Sequence, residues 1–502
     1  MSTRKTFINS FSWQTANVVS QVVLQLVFIA VIARLIGTEA FGIIGVALAI
    51  VGMVEIFSQV GIGPALIQRK DLKQGQINGA FFISVGLGIL FTALMLLTGP
   101  SIAAYYEYEP LGPILQVIGL SFLISALAVV PKNLIIKQMQ FKKLFVAALI
   151  AMTIGNLGIG LGLAYSGYGV WAYVFALLSQ NLIMTICYWI QNPVKITGFS
   201  NWEGTRGMIR YGGGSTLFNI FNYAATKIDT LIVGKFSDLN SVVGEQSSKW
   251  GTTGIYDRSV WVMSLPITVL GKLSDSVMFS GLSMLQDEKA KLQRVYLGGS
   301  YLISILIIPA CAFMIVFAAD IVFFLLGYQY HDAIPVVRIL FYGVAIRSLI
   351  KMSDAVVRAL DAVFRASFIK FIFLLMVAAG AYFGLDYGLE GVASSIVAAI
   401  VIQYFLITAL SVKLLDLSLG KILRKMVPGC LIAIIVGVVS LGVHAIVRAL
   451  DFNYILVLIT AALVNLVMLI ALARVAPWLF GKGEDNVIKL IESRIPARFR
   501  RK

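Results

Sequence analysis

Charged residues are scarce in this 502-residue chain. Asp, Glu, Lys and Arg together make up 13% of it, about half the fraction of roughly 25% that soluble domains carry. Hydrophobic residues account for 59%, and the mean hydropathy is +0.90. These values exclude a soluble cytosolic protein and predict a chain that lies mostly within a lipid bilayer.

Cysteine and histidine are scarcer still. The three cysteines, Cys187, Cys311 and Cys430, lie in separate apolar runs without a Cys-x-x-Cys pair, so neither a disulfide framework nor a thiolate metal site is predicted. The two histidines, His331 and His444, lack the spacing of metal ligands. No HExxH, nucleophile-elbow or Walker sequence is present. We therefore predict no metal or cofactor, and neither hydrolysis nor nucleotide-driven transport is favoured.

Long runs of apolar residues make up most of the sequence. Each is long enough for a membrane-spanning helix of about 20 residues, and none shows the short alternation of polar and apolar residues that is typical of a transmembrane barrel. We predict an all-α integral membrane protein with about fourteen transmembrane helices. The predicted spans are residues 11–36, 40–67, 77–98, 111–133, 145–166, 168–190, 208–236, 256–280, 296–319, 335–361, 364–384, 388–414, 426–448 and 454–478.

The basic residues between these runs predict the orientation. Lys and Arg in short loops are retained on the cytoplasmic side. One alternating set of loops holds 29 of them, including the tail from Lys482 to Lys502, and the other set holds five. Both termini are therefore expected in the cytoplasm, which requires an even number of spans. The net charge of +16 is explained by these loops and the inner membrane surface, so no nucleic-acid partner is predicted.

The chain contains an apparent internal duplication. The order of motifs from Gly37 to the basic turn at Gln68 returns between Gly234 and Gln286, with an insertion of unknown role at residues 237–253 in the second copy. The alternative is chance similarity between apolar helices. A duplication predicts two parallel six-helix lobes around a central cavity, which is typical of alternating access. The predicted divisions are an N-terminal lobe at 1–190, a cytoplasmic linker at 191–207, a C-terminal lobe at 208–415, helices 13 and 14 at 416–480 and a basic cytoplasmic tail at 481–502.

Four charged residues form a stripe on the predicted tenth span. Residues three and four positions apart share a helix face, so Arg347, Lys351, Asp354 and Arg358 fall within about 60° of arc. Facing lipid, this stripe would cost about 10 kcal/mol. It therefore faces water or partner groups, either as an anion-binding site or as a structural ion-pair network, and a single acid cannot neutralise three cations.

Uncharged polar stripes mark two further spans. The first span carries Gln14, Asn17, Gln21 and Gln25 on one face, and the seventh carries Asn219 and Asn222 in the same way. These residues and Asp354 are predicted to line a cavity. Two acids within the spans, Glu55 and Asp229, are candidates for coupling transport to H⁺ or Na⁺, with a satisfied buried carboxyl as the alternative.

Several motifs of the second half resemble a known family. They are Ile228–Lys235 (IDTLIVGK), Gly254–Arg258 (GIYDR), Ser264–Pro266 and the turn Gln286–Lys289. The chain is similar over nearly its whole length to polysaccharide exporters of the multidrug/oligosaccharidyl-lipid/polysaccharide (MOP) superfamily, in particular the lipopolysaccharide-biosynthesis flippases of the WzxC and TuaB type. The insertion at 237–253 departs from the family pattern.

The resemblance implies a transporter rather than an enzyme, located in the bacterial inner membrane. Its substrate would be an undecaprenyl-diphosphate-linked oligosaccharide, and its partners would include membrane lipids and polysaccharide assembly proteins. Arg347, Lys351 and Arg358 would then bind the diphosphate. The polar stripes would face sugar hydroxyls. The alternatives are a drug/cation antiporter of the same superfamily, which would favour an acidic cavity, and a membrane-embedded glycan polymerase or ligase, which would need a large external catalytic loop.

Overall fold

The protein is helical throughout the part that the structure describes. The computed structural model describes residues 3–58, 62–68, 72–198, 213–237, 248–283, 288–450 and 453–480, and no strand occurs among them. The prediction of an all-α chain is therefore confirmed. The predicted tail at 481–502, most of the insertion at 237–253 and the second half of the linker at 191–207 lie outside the described residues.

Among the described residues, seven α-helices precede the linker and ten follow it. The first group is α1 Thr3–Ser58, α2 Ile62–Gln68, α3 Gln74–Tyr105, α4 Leu111–Lys137, α5 Phe141–Ala151, α6 Leu161–Tyr165 and α7 Val170–Gln191, with a π-helix at Met152–Gly160 joining α5 to α6. The second group is α8 Gly213–Ala225, α9 Ile228–Phe236, α10 Lys249–Ser283, α11 Lys289–Val316, α12 Ala318–Leu325, α13 Ala333–Ala359, α14 Val363–Gly384, α15 Gly388–Leu415, α16 Leu419–Ala449 and α17 Tyr454–Val475.

The described helices provide ten segments that are long and apolar enough to cross a membrane. Two of them, at Ser12–Phe57 and Val363–Leu415, contain 46 and 53 residues, whereas one crossing needs about 20. Each covers two of the predicted spans. The chain is thus a multi-pass membrane protein, while the total of fourteen spans and the lobe layout remain predictions.

Helix α1 contains the boundary between the first two predicted spans. Gly37 has φ 79° and ψ 178°, a backbone conformation that is essentially restricted to glycine. Nothing lies within 4 Å of the position where a Cβ would stand. The chain therefore changes direction at Gly37 without a loop, because this residue alone leaves the helical conformation.

The predicted seventh span is interrupted rather than continuous. It consists of α8 and α9, which are separated at Thr226 and Lys227. The Thr226 hydroxyl donates to the carbonyl of Tyr223 at 2.8 Å, a local hydrogen bond that competes with the helical ladder. Neither a Pro nor a Gly marks this break, which explains why the sequence pattern did not predict it.

The described chain divides into two compact units. Unit 1 comprises Met1–Arg258, Leu325–Gln329 and Val363–Val392. Unit 2 comprises Ser259–Phe324, Tyr330–Ala362 and Ala393–Lys502. Unit 1 therefore contains the seven helices before the linker together with α8, α9 and the first turns of α10.

Helices α1 and α10 cross at close range in unit 1. A Cβ at Gly42 of α1 would lie 2.0 Å from the carbonyl oxygen of Trp250, and a Cβ at Gly254 of α10 would lie 1.8 Å from that of Thr38. Both distances are far below any van der Waals contact. The backbones of α1 and α10 thus meet directly, in the manner of small-residue crossings between membrane helices.

The turn after α3 contacts α9 and α10. The Lys235 ammonium lies 2.6 Å from Glu107, and the Tyr106 hydroxyl donates to the carbonyl of Leu231 at 3.3 Å. The ring of Tyr108 packs on Trp250 with centroids 4.9 Å apart. The hydrogen bond and charge of Lys235 hold the pKa of the Glu107 carboxyl below its ordinary value.

We expect Gly42→Ala and Gly254→Ala each to destabilise the protein by about 1–3 kcal/mol, the usual cost of overpacking a well-packed contact. Thermal unfolding of the purified protein in detergent measures the effect. Gly86→Ala in α3 is the matched control, because nothing lies within 4 Å of its Cβ position. A melting temperature for Gly42→Ala equal to that of the control would contradict the crossing.

Candidate functional site

The accessible face of α13 is charged. Between Ser348 and Ala359 the residues that are not buried are Lys351, Asp354 and Arg358, and all the others are buried. Arg347 lies half-buried one turn before Lys351. The Arg358 Nε donates to the backbone carbonyl of Asp354 at 3.3 Å. The structure thus brings the four predicted stripe residues together on the one face of this helix segment that remains accessible.

The opposite face of α13 is fixed by polar and apolar contacts within unit 2. The Ser353 hydroxyl lies 3.0 Å from the Tyr296 hydroxyl and 3.4 Å from that of Thr408. The Ser411 hydroxyl donates to the Ser353 carbonyl at 3.4 Å. Met352, Ala355, Val356 and Ala359 pack in an apolar cluster with α11, α15 and α16. These contacts set the rotation of α13 about its axis and therefore keep the charged face accessible.

Two of the polar side chains that form the stripe on α1 hydrogen-bond each other. The Gln21 amide donates to the Asn17 side-chain carbonyl at 2.8 Å, and Asn17 is buried. Gln14 is half-buried and Gln25 is exposed. On α8, Asn219 is exposed and Asn222 is half-buried.

Asp229 occupies a buried position in α9. Its carboxylate accepts hydrogen bonds from the Thr230 backbone N–H at 2.8 Å and from the Tyr256 hydroxyl at 2.7 Å. Nearby, Asp257 pairs with Arg258, whose guanidinium stacks 4.3 Å from the centre of the Phe41 ring. The family-like motifs at 228–235 and 254–258 therefore meet side chain to side chain.

Unit 1 contains a cavity of about 700 Å³. Its wall is formed by α1, α2, α3, α4, α7 and α8, and Glu55 is the one predicted site residue among those that line it. The polar lining residues are Glu55, Ser84, Ser121, Ser125, Lys132, Asn133, Asn181, Thr185, Tyr188 and Tyr223. The described part of the lining is therefore polar, with one acid, Glu55, and one base, Lys132.

Tyr223 closes part of this cavity against α1. Its hydroxyl donates to the Leu48 carbonyl at 3.3 Å. The ring fits only because residue 52 is glycine, since a Cβ there would lie 1.8 Å from the Tyr223 hydroxyl. Glu55 follows Gly52 by three residues and so lies on the same helix face.

Sequence reasoning missed the cavity residues on α3, α4 and α7. A signal did exist on α4, because Ser121, Ser125 and Lys132 fall within about 40° of arc at 100° per residue. Asn181 and Thr185 on α7 are likewise one turn apart. Each of these sets is short and lies in an otherwise apolar helix. Among the described residues no group of three His, Cys, Asp or Glu side chains could hold a metal ion.

Curated relatives come from the biosynthesis of surface polysaccharides. The lipopolysaccharide biosynthesis protein WzxC of Escherichia coli (strain K12) is 23% identical over 341 residues, which cover 68% of this chain and 67% of that protein. The teichuronic acid biosynthesis protein TuaB of Bacillus subtilis (strain 168) is 20% identical over 309 residues, or 61% of each chain. The succinoglycan biosynthesis transport protein ExoT of Rhizobium meliloti (strain 1021) is 18% identical and covers 67% of this chain and 66% of its own. The matched regions thus span about two thirds of these relatives or somewhat less.

Solved structures share the fold. The lipid II flippase MurJ in an inward closed conformation superposes with a TM-score of 0.68 at 14% identity, over 92% of this chain and 98% of that one. An inward-facing multidrug resistance MATE family transporter of the MOP superfamily gives a TM-score of 0.62 at 17% identity, over 79% of this chain and 96% of that one. At these identities the likeness to the two structures shows the fold alone. Together with the relatives WzxC and TuaB, it confirms the predicted resemblance.

A family model described as polysaccharide biosynthesis protein matches residues 31–335. This match covers more than half of the chain and includes the motifs at 228–235 and 254–258 that carry the resemblance. The chain therefore belongs to the polysaccharide biosynthesis protein family.

Proposed function

We propose that this protein moves an undecaprenyl-diphosphate-linked oligosaccharide from the inner to the outer leaflet of the bacterial inner membrane by alternating access. The observation that carries this proposal is the charged accessible face of α13, formed by Arg347, Lys351, Asp354 and Arg358. The similar proteins, which include a transport protein and a flippase, confirm the coarser prediction of a transporter rather than an enzyme.

The free-energy cost of placing charges in lipid limits what the charged face of α13 can contact. A charged side chain facing lipid near the bilayer centre costs roughly 2.5–3.5 kcal/mol on insertion scales. Four of them on one helix would cost about 10 kcal/mol or more, which is comparable to the whole stability of many domains. We therefore infer that the face borders a water-filled space within the protein.

The balance of charge on this face favours an anion. The four residues of this face are three cations and one acid, so their own formal charges sum to plus two. Guanidinium and ammonium groups form strong charge-assisted hydrogen bonds with phosphate oxygens, and arginine does so in a bidentate way. We assign Arg347, Lys351 and Arg358 to the diphosphate of the lipid carrier, with Asp354 orienting the neighbouring cations.

The two rival functions fit this charge pattern less well. A drug/cation antiporter would present acidic groups to its substrate, and the fold that it shares with this chain does not decide the substrate. A glycan polymerase or ligase would be an enzyme, which the names of the relatives oppose.

An orientation with both termini in the cytoplasm completes the proposal, because it places Arg358 nearer the leaflet where the substrate is made.

We expect the double variant Arg347→Gln/Lys351→Gln to lower surface polysaccharide at least tenfold, because hydrogen bonds to charged groups are each worth about 1.5–3 kcal/mol. Export is measured in cells in which equal amounts of each variant are present in the membrane. Arg338→Gln is the matched control. It lies on the same helix, is exposed and is about 180° from Arg347 at 100° per residue. Normal export by the double variant would refute the anion site.

Glu55 is proposed as the coupling group, with Asp229 as the second candidate. Glu55 lines the cavity, whereas Asp229 is buried and accepts two hydrogen bonds. We expect Glu55→Gln to remove the dependence of transport on an imposed H⁺ or Na⁺ gradient in proteoliposomes. We expect Asp229→Asn mainly to lower the melting temperature, because it weakens the charge-assisted bond from Tyr256. Transport by the wild type that responds to neither gradient would exclude both residues from coupling.

A further inference from the structure

The cavity of unit 1 is chemically different from the charged face of α13. None of the residues assigned to the diphosphate lines it. Among the described lining residues Glu55, the proposed coupling group, is the one acid and Lys132 the one base, so these residues carry no excess positive charge for a diphosphate. The other polar groups of the described lining are neutral, and the role inferred for them here rests on the proposed function.

Several of these groups have no hydrogen-bond partner within the described part of the chain. The Ser84 hydroxyl is buried and unpaired. Ser121 and Ser125 of α4 and the Asn181 amide of α7 also form no side-chain hydrogen bond with other described residues. Buried polar groups in native proteins are nearly always satisfied. These four polar side chains all line the cavity, so they are placed to hydrogen-bond a molecule that enters it.

The remaining lining defines what kind of molecule fits. The Asn133 amide donates to the Val129 carbonyl at 2.7 Å, which leaves its own carbonyl oxygen available as an acceptor. Ile118, Phe122 and Leu177 provide apolar contacts between the polar positions. Hydroxyls and amides that both donate and accept, interleaved with apolar carbon, match the hydroxyl groups and C–H faces of a sugar.

The size of the cavity agrees with this chemistry. Its volume of about 700 Å³ lies in the range of roughly 300–1,000 Å³ that is typical of small-molecule sites. A space of this size accommodates a short oligosaccharide. It far exceeds what a single ion requires.

We propose that this cavity is the glycan-binding subsite of the transporter, and that Ser121, Ser125 and Asn181 determine which sugars it accepts. The charged face of α13 keeps the role in diphosphate binding proposed above, and this cavity binds the oligosaccharide through neutral hydrogen bonds. The ligand class is a hydroxyl-rich oligosaccharide.

Two probes separate these roles in the purified full-length protein in lipid nanodiscs. The first is the free oligosaccharide, released by mild acid from the lipid-linked fraction of the cells in which the protein is native. The second is farnesyl diphosphate, which carries the diphosphate and a short lipid without sugar. Binding of each is measured calorimetrically for the wild type, Asn181→Leu, Ser121→Ala/Ser125→Ala and Arg347→Gln/Lys351→Gln.

We expect Asn181→Leu and Ser121→Ala/Ser125→Ala each to weaken oligosaccharide binding at least tenfold and to change farnesyl diphosphate binding less than twofold. Arg347→Gln/Lys351→Gln should show the reverse pattern. Ser179→Ala is the control on α7, because its hydroxyl bonds the carbonyl of Phe175 at the preceding turn and does not line the cavity. Retained farnesyl diphosphate binding shows that a variant is folded.

Unchanged oligosaccharide affinity in both cavity variants would overturn the glycan subsite. So would a wild type that binds farnesyl diphosphate but not the oligosaccharide, and that outcome would leave the proposed function intact. Loss of both ligands in a variant with a normal melting temperature would overturn the separate assignment of the two ligands. Failure of the proposed function would instead appear as normal export by Arg347→Gln/Lys351→Gln.

Discussion

The cost of placing charge in a bilayer constrains this protein more than any other interaction. An apolar helix accepts a charged residue only where water or a partner group meets it. On α13 this condition applies to four residues within twelve positions, and the packing behind them keeps their face accessible. Ser353 with its hydroxyl partners and the apolar cluster around Met352 thus have a functional consequence, although none of them contacts a substrate in our proposal. The rotation of α13 about its own axis therefore determines whether the proposed diphosphate site is accessible.

The sequence predicted the helices and the charged stripe well, because both depend on local patterns. Long apolar runs define membrane helices irrespective of their neighbours, and spacing by three and four defines a helix face. The break at Gly37 was also predictable, since it separates two such runs. The diphosphate roles of Arg347, Lys351 and Arg358 remain predictions, although the structure places their side chains on the accessible face.

What the sequence did not predict depends on how helices approach one another. The polar lining of the unit 1 cavity comes from five helices that contribute one to four polar residues each, so the signal on any single helix is weak. The sequence pattern did not predict the crossing between α1 and α10, because the chain has 45 glycines and their positions do not show which helices they bring together. Asp229 illustrates the same limit. The sequence left open whether it is a coupling group or a satisfied buried carboxyl, and only the fold brings the Tyr256 hydroxyl against it.

Two glycines five residues apart in α1 are required for unrelated reasons. At Gly37 space is available, but the backbone dihedral angles exclude an L-amino acid. At Gly42 the backbone is helical, but Trp250 occupies the space that a side chain needs. The first restriction concerns handedness and the second concerns volume. A D-alanine introduced by chemical synthesis at position 37 would satisfy the dihedral requirement, whereas an L-alanine at position 42 could be accommodated only by moving α10 away.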